Sequence, residues 1–260
     1  MSLYNARAKR SVRIPKASEL IARKIKHDIV TKVLEEGQLL PPEVKLMDEF
    51  GVSRPTIREA YRILEADRLV SVTRGAKGGA VVHRPDPQLI TEHILLVLGW
   101  EQAKVSDFYE ARATIEPGMA RVVALKASKT APAVLQDILD RARLQIKNTE
   151  DFAEVLTEFH TALVDLGGNH MLKHVAAAMH EVILRHKALV LTQLRRDKND
   201  TDFFADAEVG LKSYKKLITL IQNKKSDEAE AHWRRHIQRA NETWLAQFDI
   251  PIEDLYHELK

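Results

Sequence analysis

Apolar residues return at every third or fourth position through most of this chain, and the exceptions fall in one short block. Over residues 18–36, Leu20, Ile21, Ile25, Ile29 and Val33 share a face between Ser18, a candidate N-cap, and Gly37, a stop, which predicts a first helix. After the extended LLPP comes a shorter pattern, EVKLMDEF, expected to bury Leu46 and Phe50 and to end at Gly51. Ser53 is then placed to cap a third helix, with Pro55 in its first turn, where a missing N–H costs little. Ile57, Ala60, Tyr61 and Leu64 give that helix its buried face. The exception follows: LVSVT and AVVH are rich in β-branched residues and read as two strands joined by RGAKGG, Arg74 to Gly79.

From about residue 89 the helical period resumes and persists, with helices expected at 89–99, 105–127, 131–148, 151–166, 169–195, 203–224 and 227–246 and no further strand. Pro117 lies inside the second of these and is expected to kink it. HRPDPQ, residues 83–88, carries two prolines and marks the boundary between a domain at 1–84 and one at 85–260. The expected fold class is mainly α, a winged helix-turn-helix followed by an all-α helical bundle.

Charge separates the same two parts. Residues 1–84 hold 17 Lys and Arg against 10 Asp and Glu, a net of +7, whereas residues 85–260 hold 23 against 27, a net of −4. A basic module joined to a mildly acidic one confines any polyanion-binding task to the N-terminal third. The chain has no cysteine, which excludes disulfides, thiolate metal sites and cysteine nucleophiles and suits a reducing cytoplasm. Its N-terminus lacks the apolar core of a secretion signal, and its greasiest run, ITEHILLVLGW, is far short of the roughly 20 residues of a membrane span.

Arg54, Arg58 and Arg62 recur at every fourth position, which confines them to one stripe of the third helix, away from its buried face. Such a stripe is ordinarily just a solvated face. Here it follows a tight turn and precedes a glycine-rich basic hairpin, the arrangement in which a recognition helix enters the DNA major groove beside a wing. The candidate DNA contacts are Ser53, Arg54, Thr56, Arg58 and Arg62 on the helix, and Arg74, Gly75, Lys77 and Gly78 on the wing. The tail bearing Arg7, Lys9, Arg10, Arg13 and Lys16 reads either as a disordered segment or as a minor-groove arm. One winged helix buries too little DNA for high specificity, so a homodimer on a palindromic double-stranded operator is expected.

The stretch LLPPEVKLMDEFGVSRPTIREAYRILEADRLVSVTRGAKGGAVV resembles the N-terminal domain of the GntR family of bacterial transcription regulators. The resemblance implies DNA contacts from Arg54, Thr56, Arg58 and the wing glycines. Val44 replaces an arginine usual in the family, and Lys45 is the neighbouring substitute. FYEARATIEPGMARVVAL, EFHTALVDLGGN and DEAEAHWRRH resemble the FadR-like branch, whose C-terminal FCD domain is a helical bundle enclosing an effector, often beside a divalent metal held by one Asp and three His.

The resemblance also locates the departures. Leu156 stands four residues before His160 where the family has its aspartate, and Tyr214 stands 22 residues before His236 where it has a histidine. His160 and His236 alone make a weak metal site unless Glu158, His174, His180 or His186 completes it, so no metal or other cofactor is expected as a requirement, a residual divalent ion on His160 and His236 being the alternative. The effector pocket is expected to centre on Arg112, His160, Tyr214 and His236, and Leu156 favours a small organic acid or acyl compound with a hydrocarbon portion. Arg112 reads either as a carboxylate clamp or as the partner of Glu116 at i+4. Together these features describe a ligand-responsive regulator, expected to be a repressor. The competing functions are an enzyme, for which no nucleophile or nucleotide motif is present, and a constitutive DNA-binding protein with a helical dimerisation domain.

Overall fold

The computed structural model describes residues 14–73, 79–197, 200–246 and 249–257. The chain divides into two compact units, Met1–Leu89 and Ile90–Lys260.

The first unit contains α1 (Ala17–Val30), α2 (Glu43–Phe50), α3 (Arg54–Ala66), β1 (Val70–Thr73) and β2 (Gly79–Val82). The core face of α1 is Ile21, Ala22, Ile25 and Ile29. Val33, expected on that face, is exposed because the helix ends at Val30 and the chain turns through Lys32 at φ 59°, and Leu20 is exposed because it lies beside the stripe of Ile21, Ile25 and Ile29. Ser18 is not the cap either; Lys16 holds that position and Ser18 is buried in the first turn. Gly51 ends α2 in the left-handed region at φ 63°, a conformation that costs glycine nothing and permits the tight turn into α3. At α3, Ser53 occupies the cap position, yet its hydroxyl pairs with that of Thr56 at 3.0 Å rather than with a backbone N–H. Ile57, Ala60, Tyr61 and Leu64 are buried as the period predicts. The strands pair antiparallel with Val70 opposite Val82 and Thr73 opposite Gly79. Leu39 adds an isolated bridge to Val81, tying the segment before α2 to the sheet.

The second unit is a helical bundle. Its helices are α4 (Gln88–Trp100), whose first turn carries the division between units, α5 (Val105–Lys126), α6 (Ala131–Gln145), α7 (Thr149–Leu166), α8 (His170–Asp197), α9 (Asp200–Gln222), α10 (Ser226–Leu245) and the short α11 (Asp254–His257), which the periodicity did not reveal. Asn148 caps α7 by accepting from the backbone N–H groups of Glu150 and Asp151. Pro117 lies inside α5 and is buried.

The bundle has two apolar clusters among the described residues. Val105, Phe108 and Tyr109 of α5 pack with Ala176, Met179, Val182 and Ile183 of α8, and with Ile252 and Leu255 near the C-terminus. Further along α5, Ala120, Val123 and Ala124 belong to a larger cluster built with α6, α7, α9 and α10. The residues of α5 between them, Arg112 and Glu116, are buried and charged. A polar seam thus separates the two cores.

Candidate functional sites

On the first unit, α3 presents Arg54, Arg58 and Arg62 with side chains 54%, 66% and 78% exposed, opposite the face that packs. Glu43, the first residue of α2, receives two of them: Arg54 Nε lies 3.2 Å from Oε2 and Arg58 Nε 3.3 Å from Oε1. Arg62 pairs with Glu59 one turn earlier at 3.4 Å. These arginines, Lys45, Thr73 and Gly79 line an open groove between α2, α3 and the sheet. Val44 is exposed at the same edge, where a contact to a polyanion would have to come from Lys45. Tyr61 lies at the base of this groove, its phenol pushed up to about 12 by burial and by the charge of Glu43. The wing residues Arg74, Gly75, Lys77 and Gly78, and the tail residues Arg7, Lys9, Arg10 and Arg13, lie outside the described residues.

In the bundle, the polar seam forms around Glu116, which is completely buried. Its Oε2 accepts from His160 Nδ1 at 2.6 Å and from Trp233 Nε1 at 2.9 Å, and its Oε1 accepts from His180 Nε2 at 3.0 Å. With Nδ1 of His160 protonated, its Nε2 accepts from the Tyr214 hydroxyl at 3.0 Å. His180 Nδ1 in turn lies 2.8 Å from the Thr161 hydroxyl. Burial alone would raise the Glu116 carboxyl, but the charges and hydrogen bonds of His160 and His180 outweigh it and hold the group well below the usual carboxylate range. Burial pushes His160 and His180 down, against the pull of Glu116, so both stay neutral near pH 7.

Arg112 does not pair with Glu116. Its Nη2 donates instead to Asn241 Oδ1 of α10 at 2.5 Å, while Asn241 Nδ2 donates to the Tyr109 carbonyl at 2.9 Å. The guanidinium also lies over the Tyr109 ring, 4.7 Å from its centroid. Glu116 instead receives N–H donors from His160, His180 and Trp233. Arg112 Nε is left buried with no partner. So is Nε2 of His236, whose ring stacks on Trp233 at 4.4 Å and meets Tyr214 edge-on at 4.8 Å. Burial, then the charge of Arg112, lowers the His236 imidazolium to about 3.

Three of the four residues expected to line a pocket come together, His160, Tyr214 and His236 touching through rings and one hydrogen bond; Arg112 sits one turn of α5 from the carboxylate that holds His160 and bonds to Asn241. Glu158 does not join them; it faces Arg141 at the surface. His174 is only half-buried, whereas His180 and His186 lie inside. Trp233, Asn241 and Lys187 were not anticipated, and Glu116 was expected only as an alternative partner of Arg112. The legible signal for those on α8 was helical spacing, since His180 and Lys187 recur on the stripe of Ala176, Ile183 and Leu191, where apolar residues are the norm.

A divalent metal does not fit this donor set. Both ring nitrogens of His160 are committed, to Glu116 and Tyr214, and Leu156 offers only hydrocarbon. Among the described residues, no group of three or more His, Asp or Glu side chains could hold an ion.

Comparison with known proteins places both units. The family model for bacterial regulatory proteins of the gntR family matches residues 17–82, and that for the FCD domain matches residues 107–239. The Uxu operon regulator of Haemophilus influenzae is 26% identical over 218 residues, covering 84% of this chain and 78% of its own. The HTH-type transcriptional repressor NanR of Cronobacter sakazakii is 24% identical over 234 residues, covering 89% of this chain and 86% of its own. Among solved structures, a GntR protein of Streptococcus agalactiae superposes with a TM-score of 0.65 at 20% identity, covering 87% of this chain and 99% of the other, which supports the fold.

Proposed function

This chain belongs to the GntR family of bacterial regulatory proteins, in the branch with an FCD effector domain, and from that premise we propose how it works as a repressor. It is a ligand-responsive, DNA-binding transcription regulator and not an enzyme. It acts in the cytoplasm as a homodimer on a palindromic operator, reading bases with Arg54 and Arg58 and positioning itself on phosphates with Ser53, Thr56, Arg62 and the wing. Among the described residues, no helix is long and apolar enough to cross a membrane.

The effector is a small organic acid held without metal. The observation that carries this is the pair of buried, unpartnered nitrogens, Arg112 Nε and His236 Nε2, beside a carboxylate that already has three donors. Buried polar groups are normally paired, and an unpaired donor on a guanidinium is best satisfied by an anionic oxygen. Tyr214, already donating to His160, and Trp233 form the aromatic wall of the site. The effector regulates because it binds the DNA-competent and DNA-incompetent states unequally, at about 1.4 kcal/mol for each tenfold change in operator affinity.

Selection of sites from randomised duplex DNA by the full chain tests the reading, followed by release of the recovered DNA with a panel of organic acids. Palindromic sites, acid-dependent release and loss of that release in Arg112→Gln are expected. Release unchanged in Arg112→Gln would remove the acid site. Elemental analysis of tag-free protein prepared without chelator tests the metal: near one ion per chain, lost in His160→Ala, would overturn the metal-free pocket.

A further inference from the structure

Lys187 is the buried charge with no role in that reading. It is 1% exposed, on α8, one residue past His186 and two turns past His180. Two hydrogen bonds fix its level in the bundle. His180 meets Glu116, and His186 Nδ1 lies 3.0 Å from the Tyr109 hydroxyl, so α8 ascends as α5 descends. Lys187 is thereby brought to the Tyr109–Arg112 end of the seam, on the α8 stripe that already faces α5. Glu116 is the one acidic side chain among the buried described residues, and its close pairs are with His160 and His180 rather than with Lys187. Three donors already occupy that carboxylate. Arg112 and Lys187 therefore share the seam with one carboxylate whose hydrogen bonds go to other side chains.

An isolated buried ammonium is costly, and proteins keep such groups where something pairs with them. The surroundings agree in sign. Burial, then the charge of Arg112, pushes the Lys187 ammonium well below its ordinary value, with Glu116 opposing only in part.

We propose that Lys187 and Arg112 form a two-cation subsite, so that the effector is a dianion whose first acidic group sits on Arg112 and His236 and whose second sits on Lys187. This rests on the acid-binding reading above and narrows it. It also runs against the expectation, drawn from Leu156, of an acid with a hydrocarbon portion, because Leu156 packs in the larger apolar cluster whereas Lys187 belongs to the seam. A chain with Arg112 alone would take a monoacid. Lys187 supplies the discrimination.

The test compares matched acids on the full chain by thermal shift and calorimetry at constant ionic strength: malonate, succinate and glutarate against propionate, butyrate and valerate, with inorganic phosphate as a compact dianion. In the wild type one diacid should bind about tenfold or more tighter than its monoacid, as expected for a hydrogen bond to a charged group. Lys187→Met should lose that margin and leave the monoacid affinity unchanged. Folding of this variant is checked by its melting temperature without ligand, which should match or exceed the wild type because an apolar side chain of similar length replaces a buried amine. A diacid bound equally well by Lys187→Met, or equal affinities for diacid and monoacid in the wild type, would overturn the subsite and leave the acid site standing. Phosphate binding as tightly as the best diacid would overturn the two-ended arrangement. Binding of none of the acids would overturn the subsite together with the reading it rests on.

Discussion

Glu116 and His160 are joined by a 2.6 Å hydrogen bond across the bundle, although neither is charged by the other in the ordinary way of an ion pair. The imidazole stays neutral because burial outweighs its partner, and the carboxylate stays ionised because three N–H groups converge on it. The seam between the two cores thus holds a hydrogen-bonded hub.

The hub predicts a stability effect. Glu116→Gln keeps the shape but turns one acceptor oxygen into an NH₂ group, which then faces an N–H of His160, Trp233 or His180. Leaving a buried donor unsatisfied costs about 1–3 kcal/mol, so urea unfolding of the full chain should show a loss of about 3 kcal/mol. A loss below about 1 kcal/mol would mean that the carboxylate is dispensable and that the seam is held by packing.

Acid should weaken the bundle through the histidines. The folded-state value of His236 is about 3 against 6.5 when unfolded, and those of His160 and His180 are also depressed. Below pH 6.5 the unfolded chain binds protons that the folded chain refuses, so stability is complete above that value and falls with pH. The slope is about 1.4 kcal/mol per pH unit for each histidine fully refused. Glu116, depressed from 4.5, contributes the same sign only below that pH. His236→Gln should reduce the proton uptake on unfolding between pH 6.5 and 5 by about one. An unchanged slope between those pH values would show that His236 is already protonated in the folded protein.

Sequence periodicity located every long helix because each buries an apolar stripe, whereas Arg112, His160, Tyr214 and His236 were named from matched positions in a family pattern, and of these His160, Tyr214 and His236 meet at the seam. It misjudged ends and partners, which depend on contacts that no local pattern records. Leu20 and Val33 fit a helical pattern as well as Ile21 and Ile25 do, but Val33 falls past the end of α1 at Val30 and Leu20 falls beside the buried stripe. Arg112 and Glu116 have the spacing of an ion pair, yet Asn241, 129 residues further on, takes the arginine and Trp233, 117 residues on, helps take the glutamate. Lys187 was hidden for the opposite reason: a lysine in a helix reads as solvated until the bundle closes over it.

The last prediction concerns Glu43, which receives both Arg54 and Arg58 without itself projecting from the groove. The pairs are exposed and contribute little to stability. Their consequence is orientation: two long side chains that would otherwise sample many rotamers are held toward the same edge of the groove before DNA arrives. Arg58→Ala should therefore cost about 1–3 kcal/mol of discrimination at one base pair in each half-site, with non-specific binding nearly unchanged. Glu43→Gln should act differently. Removing a negative charge from the DNA-facing surface strengthens binding to random duplex and steepens its salt dependence by about one phosphate contact, while the freed arginines read bases less selectively. Titration of both variants on a selected site and on random DNA across a salt series separates the two effects. A Glu43→Gln protein with the wild-type ratio of specific to non-specific affinity would show that the arginines find their bases without the glutamate, and that its two ion pairs belong only to the free protein.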